Sequence, residues 1–183
     1  MTQHDAVQHG LAALLHFFGM FRGLLLFMAL VRILVDGYSL LHSWPEVAPG
    51  EPRFSAAARE QLVKRLTLYQ DAVSTPVTIF FDGSAPKTGP REKHSKGTVE
   101  VLYSKAGQTA DQMIERAAHR FAAYGEVLAV TDDHAERETV ISVGGLASSC
   151  INFINEVENT LAELTDDIKD YNRRERHRFR NNR

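Results

Sequence analysis

Val31-Arg32-Ile33-Leu34-Val35-Asp36-Gly37-Tyr38-Ser39-Leu40-Leu41-His42 decides how the chain folds. A β-branched apolar run of this kind reads as a buried strand, and it stops on a carboxylate followed by glycine, the residue that turns a chain sharply. Asp36 therefore stands where a strand ends. In a parallel α/β sheet, ligands bind in the crevice beyond the carboxyl ends of the strands, so an acid there is a candidate for chemistry.

Working outward, Trp44-Pro45-Glu46 and Pro49-Gly50-Glu51-Pro52 form a loop. Ser55 reads as an N-cap. Leu62, Leu66, Tyr69 and Val73 then follow at i, i+4, i+7 and i+11, the apolar stripe of a crossover helix. Pro76 to Phe81 is a second strand, again ending on Asp-Gly at Asp82-Gly83, and Val99 to Tyr103 alternates as a third. Thr109-Ala110-Asp111-Gln112 is a capping box that opens a helix with Ala110, Met113 or Ile114, Ala117, Phe121 and Tyr124 on one face. Val127 to Val130 is a fourth strand, ending at Thr131-Asp132-Asp133. His134 to Val143 reads as a short helix with an extension, and Gly144-Gly145 as a break. A last helix is expected from about Ala147 to Asp166, burying Ile151, Ile154, Val157, Leu161 and Leu164.

The 183 residues are 44% hydrophobic and 24% charged, ordinary for one globular domain and unlike a disordered or fibrous chain. The net charge of -2 hides an asymmetry. Lys169 to Arg183 holds seven Lys/Arg against Asp170 and Glu175, so the other 168 residues carry about -7. The lone Cys150 excludes an internal disulfide and a multi-cysteine zinc site, and points to a reducing compartment such as the cytoplasm. Upstream, Leu11 to Val35 is apolar apart from His16, Arg22 and Arg32. One reading is an N-terminal extension over residues 1–30, upstream of a true start at Met28 or Met20. The other is a membrane anchor or signal, against which stand the missing basic flank, the missing A-x-A-like site and the merger of the run with the first strand.

Alternating strands and helices predict a three-layer α/β fold with a mainly parallel sheet of four to five strands and helices on both faces. Asp36, Asp82, Asp111 and the pair Asp132-Asp133 would then converge on one edge. Singly, each suits a turn or a helix cap. Together, neighbouring carboxylates raise one another's pKa unless a cation neutralises them, and hard oxygen ligands suit Mg²⁺ or Mn²⁺. Two basic segments are candidate phosphate contacts: the loop with Lys87, Arg91, Lys93 and Lys96, and the tail with Arg173 and Arg174. His42, His134 and Glu115 read as exposed residues rather than parts of the site.

Ile33 to Tyr38, Ser43-Trp44-Pro45-Glu46, Phe81-Asp82-Gly83, Val99-Glu100-Val101, Thr109-Ala110-Asp111 with Glu115, and Val130-Thr131-Asp132-Asp133 closely resemble the YacP-like NYN domain, a PIN-like nuclease family. The resemblance spans about Val31 to Leu164 and implies a PIN-like fold for residues 31–166, followed by a basic tail at 167–183. It implies metal-dependent endonucleolytic cleavage of RNA, mRNA foremost, in some members linked to translation and hence to the ribosome. Carried over by position, it marks Asp36, Asp111 and Asp133 as catalytic and metal-binding, with Asp82 near the site. The family pattern has Ser or Asn where this chain has Asp132, leaving both Asp132 and Asp133 as candidates, with Asp133 the better match. It has Asn where this chain has Ser39, a substrate-positioning candidate of shorter reach. An RNA-binding module of the same fold without turnover is the alternative.

Overall fold

A computed structural model describes residues 30–83 and 99–181. The N-terminal extension and the loop bearing Lys87, Arg91, Lys93 and Lys96 lie outside the described residues.

Strand β1 (Leu30–Asp36) occupies the middle of a five-stranded sheet and is followed by helix α1 (Gly37–Ser43) and a short 3-10 turn at Pro45–Val47. Helix α2 (Ala56–Val73), capped by the Ser55 side chain, leads to β2 (Val77–Phe81). Then come β3 (Glu100–Tyr103), α3 (Ala110–Ala122), β4 (Glu126–Val130), α4 (His134–Ser142), β5 (Leu146–Ser148) and α5 (Cys150–Asn181). The order is β3-β2-β1-β4-β5 and every pairing is parallel.

The period-2 alternation of a strand explains how β1 serves two cores at once. Ile33 and Val35 enter a cluster with Leu62, Leu66 and Tyr69 of α2 and Phe153 and Val157 of α5. Leu34, pointing the other way, packs with Ala110, Ile114 and Ala118 of α3 and Val140 of α4. Each large apolar side chain buried in this way contributes about 1.5–3 kcal/mol, so both sheet faces must be covered.

Register sets the site. Asp36 pairs with Phe80 and Val35 with Val130, so β1, β2 and β4 end at nearly the same height. The chain leaves β1 toward the α2 face and leaves β4 toward the α3 face. The crevice between their carboxyl ends is thus the topological switch point.

Several details differ from the sequence expectation. The Gly144-Gly145 break is followed by a fifth strand at Leu146–Ser148, too short to carry a periodic signal and held by pairing with β4. The last helix does not end at Asp166 but runs unbroken to Asn181. Its buried side is Cys150, Phe153, Ile154, Val157 and Leu161, while Ile151 and Leu164 are exposed because the sheet covers a narrower arc and a shorter length than the apolar stripe. Tyr124 lies past the end of α3 and is exposed. Among the described residues no helix is long and apolar enough to cross a membrane, and the last part of the Leu11 to Val35 run is strand β1.

Candidate metal centre

Asp36 is both the last residue of β1 and the N-cap of α1. Its Oδ1 accepts the backbone N–H groups of Tyr38 (3.0 Å) and Ser39 (3.2 Å), and the Ser39 hydroxyl donates to Oδ2. Ser39 thus holds Asp36. This turn needs glycine at position 37, because a Cβ there would stand 2.3 Å from Cε1 of the buried Phe81 ring.

Asp111 comes from the first turn of α3, whose start is pinned twice. Thr109 and Gln112 make the reciprocal capping box, and Asp82, one residue past β2, accepts the Ala110 N–H at 2.7 Å. Burial foremost, then the charges of Asp36, Asp133 and Asp82, push the Asp111 carboxyl above its ordinary value.

The third acid was not expected from the sequence. Glu136, in the first turn of α4, is only 6% exposed, and its carboxylate reaches the same point as those of Asp36 and Asp111. One oxygen from each of the three lies within 4.8 Å of the others. Neither Glu136 oxygen accepts a well-formed hydrogen bond among the described residues, although the Thr131 hydroxyl lies near enough to favour its charged form. Asp133 and Glu136 have capping-box spacing, in which the glutamate turns back to the cap N–H. Here the Asp133 N–H is taken by Thr131 Oγ1 at 3.1 Å, so Glu136 points inward instead. Burial, followed by the Asp111, Asp36 and Asp133 charges, raises its carboxyl to about 7, with the Thr131 hydroxyl opposing in part.

The neighbouring pair of aspartates divides its duties. Asp133 caps α4, accepting from Ala135 N at 2.7 Å and Glu136 N at 3.2 Å, and lies close enough for its charge to act on Asp111 and Glu136. Asp132 instead spends both oxygens elsewhere, accepting from Cys150 N and Ser43 Oγ, each at 2.9 Å. Burial, the largest influence, works to raise the Asp132 carboxyl, but these hydrogen bonds and the Arg137 charge together hold it below the ordinary range.

Three carboxylates at this spacing, one of them a buried glutamate with no well-formed hydrogen bond among the described residues, suit a hard divalent cation, which takes oxygen donors and offsets their mutual repulsion. Arg173 and Arg174 are not part of this cluster. They sit on exposed turns of α5 about 35 Å along the helix axis from Cys150, beside which the acids lie.

Comparison with known proteins identifies the family and supports the fold. The model of the YacP-like NYN domain matches residues 33–183. The chain belongs to the YacP-like NYN domain family. This NYN chain is 29% identical over 127 residues to the uncharacterized protein YacP of Bacillus subtilis (strain 168), covering 69% of this chain and 74% of YacP. It also superposes on the crystal structure of Bacillus subtilis Rae1 (YacP) with TM-score 0.62 and 26% identity, covering 75% of this chain and 79% of that one. A point mutant of Rae1 matches with the same TM-score at 24% identity over 76% and 81% of the two chains. The NYN family makes this a nuclease-like, RNA-related domain with an α/β PIN-like fold.

Proposed function

We propose that this protein is a divalent-metal-dependent endoribonuclease, with Asp36, Asp111 and Glu136 as the residues that hold Mg²⁺ or Mn²⁺. The observation that carries this reading is the buried Glu136 carboxylate, which accepts no well-formed hydrogen bond among the described residues and is aimed at two other acids. A cation bound there supplies Lewis-acid polarisation of the scissile phosphate and eases deprotonation of a water.

The chain's own groups do the positioning. Ser39 and the α1 amides hold Asp36 in one rotamer, the Asp82 carboxylate fixes the start of α3 and hence Asp111, and Asp133 fixes the start of α4 and hence Glu136. Asp82 and Asp133 also add negative charge around the cluster, strengthening its preference for a cation. Hydrolysis by water requires no nucleophile from the protein. The RNA is proposed to be mRNA engaged in translation and the setting cytoplasmic, which the family resemblance and the single buried thiol support.

The test is incubation of the purified chain with single-stranded and hairpin RNA plus Mg²⁺ or Mn²⁺, beside Asp36→Asn and Asp111→Asn. Cleavage by the wild type alone is expected, with each variant reduced at least ~100-fold. Cleavage persisting in both variants disproves the site, and binding without cleavage by the wild type favours a module without turnover.

A further inference from the structure

Along the carboxyl edge of the sheet beside Asp36 lies a row of aromatic rings that are not among the clustered acids. Tyr38, two residues beyond Asp36, meets Phe54 edge to face (centroids 5.5 Å, 89°) and Phe81 at 5.1 Å. Phe81 stacks on Tyr103 at 5.6 Å with 25° between planes. Phe81 and Tyr103 are the last residues of β2 and β3, so the row follows the carboxyl edge of the sheet outward from Asp36.

Phe81 is fully buried and belongs to the core, whereas Phe54 is 48% exposed. A ring of that size half in water normally collapses onto apolar neighbours, but this one is held in place. Arg59 Nη1 donates to the Phe54 carbonyl oxygen (3.1 Å) and to Tyr38 Oη (3.3 Å), with its guanidinium carbon 6.0 Å from the Phe81 ring centre. Among the described residues Arg59 has no carboxylate within 4 Å. A guanidinium fixed beside one exposed ring, Phe54, without a carboxylate partner among the described residues and bonded to Tyr38, two residues past Asp36, matches one ligand chemistry: a base on the ring and a phosphate on the cation.

We infer that Phe54, Tyr38 and Arg59 form a stacking subsite for an unpaired nucleotide of single-stranded RNA beside the acidic cluster. The inference rests on the RNA reading above and names the substrate form. Aromatic rings take bases that are splayed out of a helix, and every base has a π face, so the subsite selects single strands over duplexes without reading sequence. Arg59 adds one phosphate contact and hence one increment of salt dependence.

The test uses the full chain in EDTA, so that binding is read without cleavage, with a single-stranded RNA hexamer carrying 2-aminopurine and the same hexamer annealed within the paired stem of a longer, stable hairpin as probes. Wild type is expected to bind the hexamer and quench its fluorescence. Phe54→Ala should weaken hexamer binding about tenfold and remove the quenching, while Phe54→Trp keeps both. Arg59→Gln should weaken binding and reduce the salt slope by about 0.7. Asp111→Asn should retain the quenching while losing cleavage in metal, which separates this subsite from the catalytic reading. Unchanged affinity and quenching in both Phe54→Ala and Arg59→Gln, with wild type binding, overturns the subsite alone. A wild type that binds neither probe overturns it together with the RNA reading.

Discussion

The carboxylates of Asp36 and Glu136 meet within 4.8 Å across the switch point of the sheet, although a hundred residues separate them in the chain. One is the last residue of β1 and the other stands in the first helical turn after β4, the strand paired with β1. Two like charges held this close by rigid elements are a cost to the folded state until something positive joins them.

Glu136→Gln removes one of those charges. Without metal its melting temperature should equal or exceed that of wild type. Added Mn²⁺ should stabilise wild type by about 2.7 kcal/mol at a hundred times its dissociation constant and leave the variant nearly unmoved. Differential scanning fluorimetry in EDTA and in Mn²⁺ reads both effects. An undiminished Mn²⁺ response in Glu136→Gln would remove this residue from the ligand set.

Asp132 and Asp133 are adjacent, yet they should fail differently. Asp132→Ala breaks the clasp that ties the start of α5 and the end of α1 to the β4 loop, at a cost of about 1–2 kcal/mol. Its signature is a lowered urea midpoint with turnover per folded molecule kept within a few-fold. Asp133→Ala, which loosens α4 and shifts Glu136, should reduce turnover more than the accompanying stability loss accounts for. Equal losses of turnover in the two variants would argue against this division.

Gly37→Ala tests the close approach under the acidic turn. A methyl group 2.3 Å from a ring atom of Phe81, itself locked between Tyr38 and Tyr103, forces the turn or the ring to move. Overpacking of this kind costs about 1–3 kcal/mol, and Asp36 moves with the turn, so stability and cleavage should fall together. Urea unfolding and a cleavage assay on the same sample decide it.

The basic end of α5 is distant from the acids, so its contribution should depend on RNA length. Lys169 and Arg173 are paired with Asp166 and Asp170, whereas Arg174 and Arg176 have no carboxylate partner among the described residues. Deleting residues 169–183 should weaken binding of an RNA long enough to span about 35 Å and flatten its salt dependence. A hexamer should bind as before. Unchanged affinity of the long RNA across salt concentrations would leave this segment without a role in binding.

The legibility of these features followed their range in the chain. Asp36, the capping box at Thr109 and Gln112, and the apolar helix stripe at Leu62, Leu66 and Tyr69 are local patterns, and the structure contains each of them. The helical continuation beyond Asp166 was hidden because it buries no apolar stripe, Ile168 and Tyr171 being exposed, and is supported by short-range pairs such as Lys169 with Asp166 and Arg173 with Asp170. Glu136 was hidden for a different reason. Its spacing from Asp133 suggests a local cap, and only the competing bond from Asp133 N to Thr131 shows that the cap is not closed.

The sequence alone determined the α/β class, the strand ends on which Asp36 and Asp82 stand, and the family pattern, because each is written in short local runs read in order along the chain. Tertiary structure decided which acids come together in one cluster and which cap helices. That choice turns on strand register and on competition for backbone N–H groups, both settled only when β1, β4 and the helices after them are packed side by side.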